Sequence, residues 1–216
     1  IKCISSHPKF EKKISKSGFE SYMRFGYISG EKSIYKDVYK LPPGSFLKFD
    51  YQNSYLEIKN YWNINNIKKD KNLIKNTKKK IIKKFKNKLL KSVKSRMISD
   101  VPIGGFLSGG IDSSIICAMM QHNEDKKIKT FTIGFEENKF DESLDARLIS
   151  KILNTDHTEV ILNKKNIISS LDNITEAWDE PFADPSKIPT LLLAKITKEK
   201  VKVSLSGDGG DELFGG

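Results

Sequence analysis

Two glycine-rich segments hold the residues best suited to chemistry. The first is Leu107-Ser108-Gly109-Gly110-Ile111-Asp112-Ser113-Ser114, set between a short apolar run over 101–107 and a helix-like apolar stretch over 111–120. Paired glycines let the backbone turn tightly and come close to a ligand. The start of the following helix offers unpaired amides and the positive end of a dipole, which suits an anion. Ser108, Ser113 and Ser114 add hydroxyl donors for phosphate oxygens. Asp112 would repel a bare phosphate, so its presence calls for a magnesium ion between the two. The bland alternative is a Ser/Gly turn in which Asp112 caps the helix. No Gly-Lys-Ser/Thr follows, so this is not a Walker-type loop.

The second segment runs from Ser206 to Gly216 behind the strand-like Val201–Leu205 stretch. Gly207, Gly209, Gly210 and Gly215 surround Asp208, Asp211 and Glu212, a poor core and a suitable loop for a cation or nucleotide. The three histidines, His7, His122 and His157, show no metal-ligand spacing. Trp178 reads as a packing residue, and Asp179, Glu180 and Asp184 read equally well as surface caps or as groups shaping a site.

The elements that must position these loops alternate between strand and helix from residue 100 onward. Strands are expected over 101–107, 129–135, 157–162 and 201–205, and helices over 111–120, 142–153, 166–178 and 190–198. This order predicts a parallel sheet covered on both faces. Ligands of such sheets bind beyond the carboxyl ends of the strands, where both glycine-rich segments fall. Residues 1–62 differ: aromatic and β-branched runs are broken by Gly26, Gly30 and Leu41-Pro42-Pro43-Gly44, and a strand is expected over 45–49. Tyr61-Trp62 and an Asn-rich stretch place the domain boundary there.

The net charge of +11 comes from one segment. Of 38 basic residues 14 lie between Lys68 and Arg96, with one acid, Asp70, a net +13; the remainder carries −2. Ile74, Ile81, Ile82, Phe85, Leu89, Val93 and Met97 recur there at helical spacing, so the lysines cover the other face of an amphipathic helix. A solvated lysine face is the expectation, and nucleic-acid binding is not. Two cysteines, Cys3 and Cys117, are too few for a disulfide framework and point to a cytoplasmic setting. No stretch approaches the roughly 18 apolar residues of a membrane span. Opening on Ile1 and stopping at Gly216, the chain reads as an excerpt of a longer protein.

The first loop resembles the pyrophosphate loop of the ATP-pyrophosphatase superfamily, which cleaves ATP between its α- and β-phosphates. The second resembles that of the asparagine synthetase family, as do Phe131-Thr132-Ile133-Gly134-Phe135 with Phe140-Asp141-Glu142, and Asp179–Ser186 with Pro189-Thr190. Phe25-Gly26-Tyr27 and Lys40–Gly44 are similar to the closing part of that family's glutaminase domain. The fold implied is α/β: a parallel-sheet adenine-nucleotide α-hydrolase-like domain (63–216) preceded by the C-terminal part of an N-terminal-nucleophile glutaminase domain (1–62). The resemblance implies glutamine-dependent asparagine synthesis: ATP adenylates the aspartate side chain, and glutamine-derived ammonia makes the amide. Leu107 and Ile133 match adenine-pocket positions, Ser206 and Gly207 backbone contacts to the nucleotide, and Asp112 and Asp211 the magnesium-holding carboxylates. Asp208 matches an acidic position tied to the acyl-adenylate, where many members carry Glu. The family's glutaminase nucleophile is an N-terminal cysteine; Cys3 is not that residue, so a piece with these bounds is not expected to make asparagine from glutamine. A homodimer is compatible with the resemblance. Two alternatives stay open: an amidotransferase acting on another carboxylate, such as a sugar acid, and a tRNA-modifying protein with the same ATP loop.

Overall fold

In the computed structural model of the chain the described residues are 1–67, 77–136 and 141–215, the side chains of Asp172, Asn173 and Thr175 excepted. Residues 68–76, Phe140 and Gly216, which entered the sequence reading, lie outside them. The chain divides into two compact units, Ile1–Lys75 with Thr175–Pro185, and Asn76–Ile174 with Ser186–Gly216.

The first unit contains α1 (Lys2–Ser5), α2 (Lys16–Phe25) and an antiparallel ribbon of β1 (Ser45–Asp50) and β2 (Tyr55–Asn60). Helix α2 begins where the Ser15 hydroxyl accepts the Gly18 amide at 3.2 Å, and ends where Gly26 turns left-handed at φ 77°. The ribbon reverses because the Asp50 carboxylate accepts the amides of Gln52 and Asn53, at 3.0 and 3.2 Å. Glu180 accepts the Ile34 amide at 2.8 Å and pairs with Lys40 at 2.7 Å, so its carboxylate is engaged in holding this unit together. Trp178 is half-buried and meets Phe182 edge-on at 5.8 Å, as expected of a packing residue.

The second unit runs α3 (Lys78–Arg96), β3 (Ile103–Phe106), α4 (Ile111–His122), β4 (Lys129–Phe135), α5 (Ser143–Leu153), β5 (Asp156–Leu162), α6 (Lys164–Ser169), the start of α7 (Leu171–Ala177, whose last three residues belong to the first unit), α8 (Lys187–Thr197), β6 (Val203–Leu205) and α9 (Gly210–Phe214). Its four strands are all parallel and ordered β5-β4-β3-β6. In β4 consecutive residues Thr130, Phe131 and Thr132 are all buried, the pattern of a strand covered on both faces. Val93, Leu107, Cys117, Met120, Ile128 and Ala146 form the core cluster. Truncating a side chain as enclosed as Leu107 to Ala costs about 2–5 kcal/mol. Helix α3 is amphipathic as expected, but burial is uneven along it. Val93 is 3% exposed near its end, whereas Ile82 and Phe85, farther up the stripe, are 54% and 42% exposed.

Strands β4 and β5 also bury a polar group. Thr130 Oγ1 lies 2.8 Å from Thr155 Oγ1 and 2.9 Å from His157 Nδ1, while His157 Nε2 is buried with no partner. Burial pushes the His157 imidazole below its ordinary range; Glu159 opposes this and the Arg147 charge adds to it.

Candidate functional site

Sheet order decides where a ligand can sit. From β3 the chain goes one way to β4 and β5, then returns to place β6 on the other side of β3. The loops that leave β3 and β6 therefore stand side by side where the strand order reverses, the place that open α/β sheets use for ligands. A cleft of about 900 Å3 opens there, lined by residues of both glycine-rich segments.

The first loop is shaped by its own hydroxyls. The Leu107 amide donates to the Phe131 carbonyl at 2.9 Å, closing the strand, and Gly109 turns the chain at φ 86°. The Ser108 amide donates to Ser113 Oγ at 3.2 Å, and Ser114 Oγ donates to the Gly110 carbonyl at 2.6 Å. Gly110 is the N-cap of α4, and no side chain caps the helix. Asp112 is thus not a capping group. It stands in the first turn, where its charge is favourable with the helix dipole.

The second loop closes against the first. A Cβ on Gly207 would meet Ser113 N and the Asp112 backbone, and one on Gly210 would meet the Asp112 carboxylate. Only residues without a Cβ let the loops approach this closely. Within the loop, Ser206 Oγ donates to the Asp208 carboxylate at 3.0 Å.

Of the residues singled out from the sequence, Ser108, Gly110, Asp112, Ser113, Ser206, Gly207, Asp208 and Asp211 line this one cleft. Gly109, Ser114, Leu107 and Ile133 are not among its lining residues. Gly109 lies against Asp145 and Ala146, Ser114 bonds back to the loop, Leu107 belongs to the core, and Ile133 is half-buried in β4 beside Val160. Glu212, one of the three acids of the second loop, lines the cleft too; sequence reasoning passed over Phe106, Glu142, Thr190, Leu193 and Phe214. Glu142 and Thr190 stood in segments already singled out for their resemblance. Leu193 carries no signal beyond helical apolarity.

The cleft carries five carboxylates, those of Asp112, Glu142, Asp208, Asp211 and Glu212, and no lysine or arginine among its described lining residues. Among the described residues no three His, Cys, Asp or Glu side chains gather into a ready-made metal site. That donor set fits magnesium, which uses one or two carboxylates and takes its remaining oxygens from water and phosphate. Of the two cysteines Cys3 is exposed, whereas Cys117 is buried in the core, where burial pushes its thiol up to about 12.

Residues 84–216 match the family model described as asparagine synthase, and residues 1–62 the glutamine amidotransferase domain. The chain belongs to the asparagine synthase family. A Methanocaldococcus jannaschii protein named, provisionally, glutamine-hydrolysing asparagine synthetase 2 is 37% identical over 204 residues, 94% of this chain and 38% of its own. Glutamine-hydrolysing asparagine synthetase 1 of Bacillus subtilis is 33% identical over 207 residues, 94% of this chain and 31% of its own. The chain thus spans about a third of the length of these relatives. Among solved structures, the NH3-dependent NAD synthetase of Campylobacter jejuni aligns with TM-score 0.44 and 16% identity over 61% of this chain and 58% of that one. The asparagine synthase match covers both loops of the cleft. No helix among the described residues is long and apolar enough to cross a membrane.

Proposed function

We propose that the protein of which these residues form part is a glutamine-dependent asparagine synthase. It activates the side-chain carboxylate of aspartate with ATP and amidates it with ammonia, releasing AMP and pyrophosphate. The observation that carries this is the closure of two glycine-rich loops, from neighbouring parallel strands, on one carboxylate-lined cleft.

In the first step an aspartate carboxylate oxygen attacks the α-phosphorus, and the bond to the β-phosphate oxygen breaks. Ser108, Ser113 and the amides at the start of α4 face the departing pyrophosphate. Asp112 and Asp211 are the residues that would hold magnesium, whose chemistry is to offset the charge of that pyrophosphate. Ser206 and Gly207 contact the nucleotide, and Leu107 and Ile133 are assigned to its adenine end. In the second step ammonia adds to the acyl carbon, AMP leaves, and the surplus proton goes to solvent. Asp208, held by Ser206, serves the acyl-adenylate. Residues 1–62 are assigned to the domain that hydrolyses glutamine to supply the ammonia, and 63–216 to the synthetase. Relatives named for asparagine favour aspartate as the acceptor over other carboxylates.

The test is Asp112→Asn in the full-length protein. Aspartate-dependent pyrophosphate release should fall at least about 100-fold, the scale of losing one preorganised charged group at such a site. The unfolding midpoint should hold. Undiminished release would sink the role of Asp112, and turnover with sugar acids but not aspartate would reassign the acceptor.

A further inference from the structure

We propose that Phe85, on the lysine-rich helix α3, is a positioning residue for the acidic wall of the cleft: its ring holds α9 so that Asp211 lines the same cleft as Asp112. This rests on the nucleotide chemistry proposed above and adds a residue to it from outside both loops.

Helix α9 has five residues and buries none of them. Both its flanks are left-handed glycines, Gly209 at φ 87° and Gly215 at φ 94°, and nothing lies within 4 Å of where a Cβ would stand on either. Such glycines impose no direction on the segment between them. Among the described residues, contacts at its two ends give it direction. At the start, Gly210 lies against the Asp112 carboxylate. At the finish, Phe214 meets Phe85 edge-to-face, with ring centroids 5.2 Å apart and planes at 82°.

Asp211 and Phe214 are three positions apart and so share one side of α9. Fixing the ring fixes the direction of the carboxylate. Helix α3 is a rigid support because Val93, two turns after Phe85, is locked in the core. The two rings are themselves 42% and 63% exposed. Removing either leaves Val93, Leu107 and Cys117 packed, which separates positioning from folding.

The experiment compares Phe85→Ala, Phe214→Ala, the double variant and Phe85→Tyr in the full-length protein. Three quantities are read: amide hydrogen exchange over 209–215, affinity for magnesium–ATP by calorimetry, and the unfolding midpoint. Each alanine variant should speed exchange in that segment and weaken magnesium–ATP about tenfold with the midpoint unmoved. The double variant should be no weaker than either single one, since both remove the same contact. Phe85→Tyr, which keeps the ring, should behave as the parent protein. Unchanged exchange, additive losses, or weakening matched by a fall in midpoint would each overturn the proposal. A parent protein without affinity for magnesium–ATP would overturn the proposed function and the positioning role with it, while the exchange comparison still reports on the ring contact by itself.

Discussion

Gly207 and Asp112 sit so close that a Cβ at position 207 would lie 2.8 Å from the Asp112 carbonyl carbon and 3.0 Å from its Cβ. The nearest atom of all, Ser113 N at 2.6 Å, is also backbone and cannot turn aside. Gly207→Ala should therefore push the loops apart, lowering the unfolding midpoint and weakening ATP binding together. In Gly210→Ala the three atoms nearest the new Cβ all belong to the Asp112 carboxylate, which can swing away. That variant should keep its midpoint yet lose pyrophosphate release at least about tenfold, because the displaced group is charged and preorganised. Calorimetry and a pyrophosphate assay on the two variants check the contrast; equal behaviour would contradict it.

His157 makes stability depend on pH. Its imidazole is held below the ordinary range by burial, so the folded state binds fewer protons than the unfolded state near neutrality. The contribution is fully present above the unfolded value and is lost progressively as pH falls from there through the lower folded value. Between about pH 7.5 and 5.5 the midpoint of the parent protein should fall more than that of His157→Asn. Parallel pH profiles for the two would show that His157 contributes nothing to the slope.

The lysine face of α3 should attract polyanions without selecting among them. RNA retained at about 20 mM salt should be released by about 150 mM, as counterion release requires. Replacing Lys83 and Lys86 by Gln should weaken that retention and leave pyrophosphate release unchanged. Structure-selective tRNA binding that survives physiological salt would instead favour the tRNA-modifying alternative.

What could be read from the sequence was local. Lys129–Phe135 has the expected bounds because its alternation is uninterrupted and turns flank it. Both loops were legible because glycine, serine and aspartate between a strand and a helix leave little else for the segment to do. Helix α8 begins at Lys187, three residues before the expected start. Pro189 lies in its first turn, where the missing N–H breaks no bond. The single helix expected over 166–178 is two, α6 and α7, with the first ending at Ser169 and capped by Ser170. Strand β2 escaped notice because its partner and its turn define it more than its own alternation does. The stripe on α3 told which face is apolar, not how much of it the rest of the unit covers. Thr190 and Leu193 share one side of α8, but Glu142 reaches the cleft from an element far away in sequence, and no spacing rule connects it to them.

The pairing of β6 with β3 has a consequence for the order of folding. Strands β3 and β4 pair residues 25 positions apart, Gly104 with Lys129, whereas Ile103, Gly104 and Gly105 pair with residues one hundred positions later, Val203, Ser204 and Leu205. Closing the longer loop costs more chain entropy and is the slower contact to make. A chain with β3, β4 and β5 already assembled owns the first glycine-rich loop and nothing opposite it. The cleft comes into being in the same event that completes the sheet. On the proposed function, magnesium–ATP would bind the finished sheet and not its precursor, and by mass action would hold β6 in place.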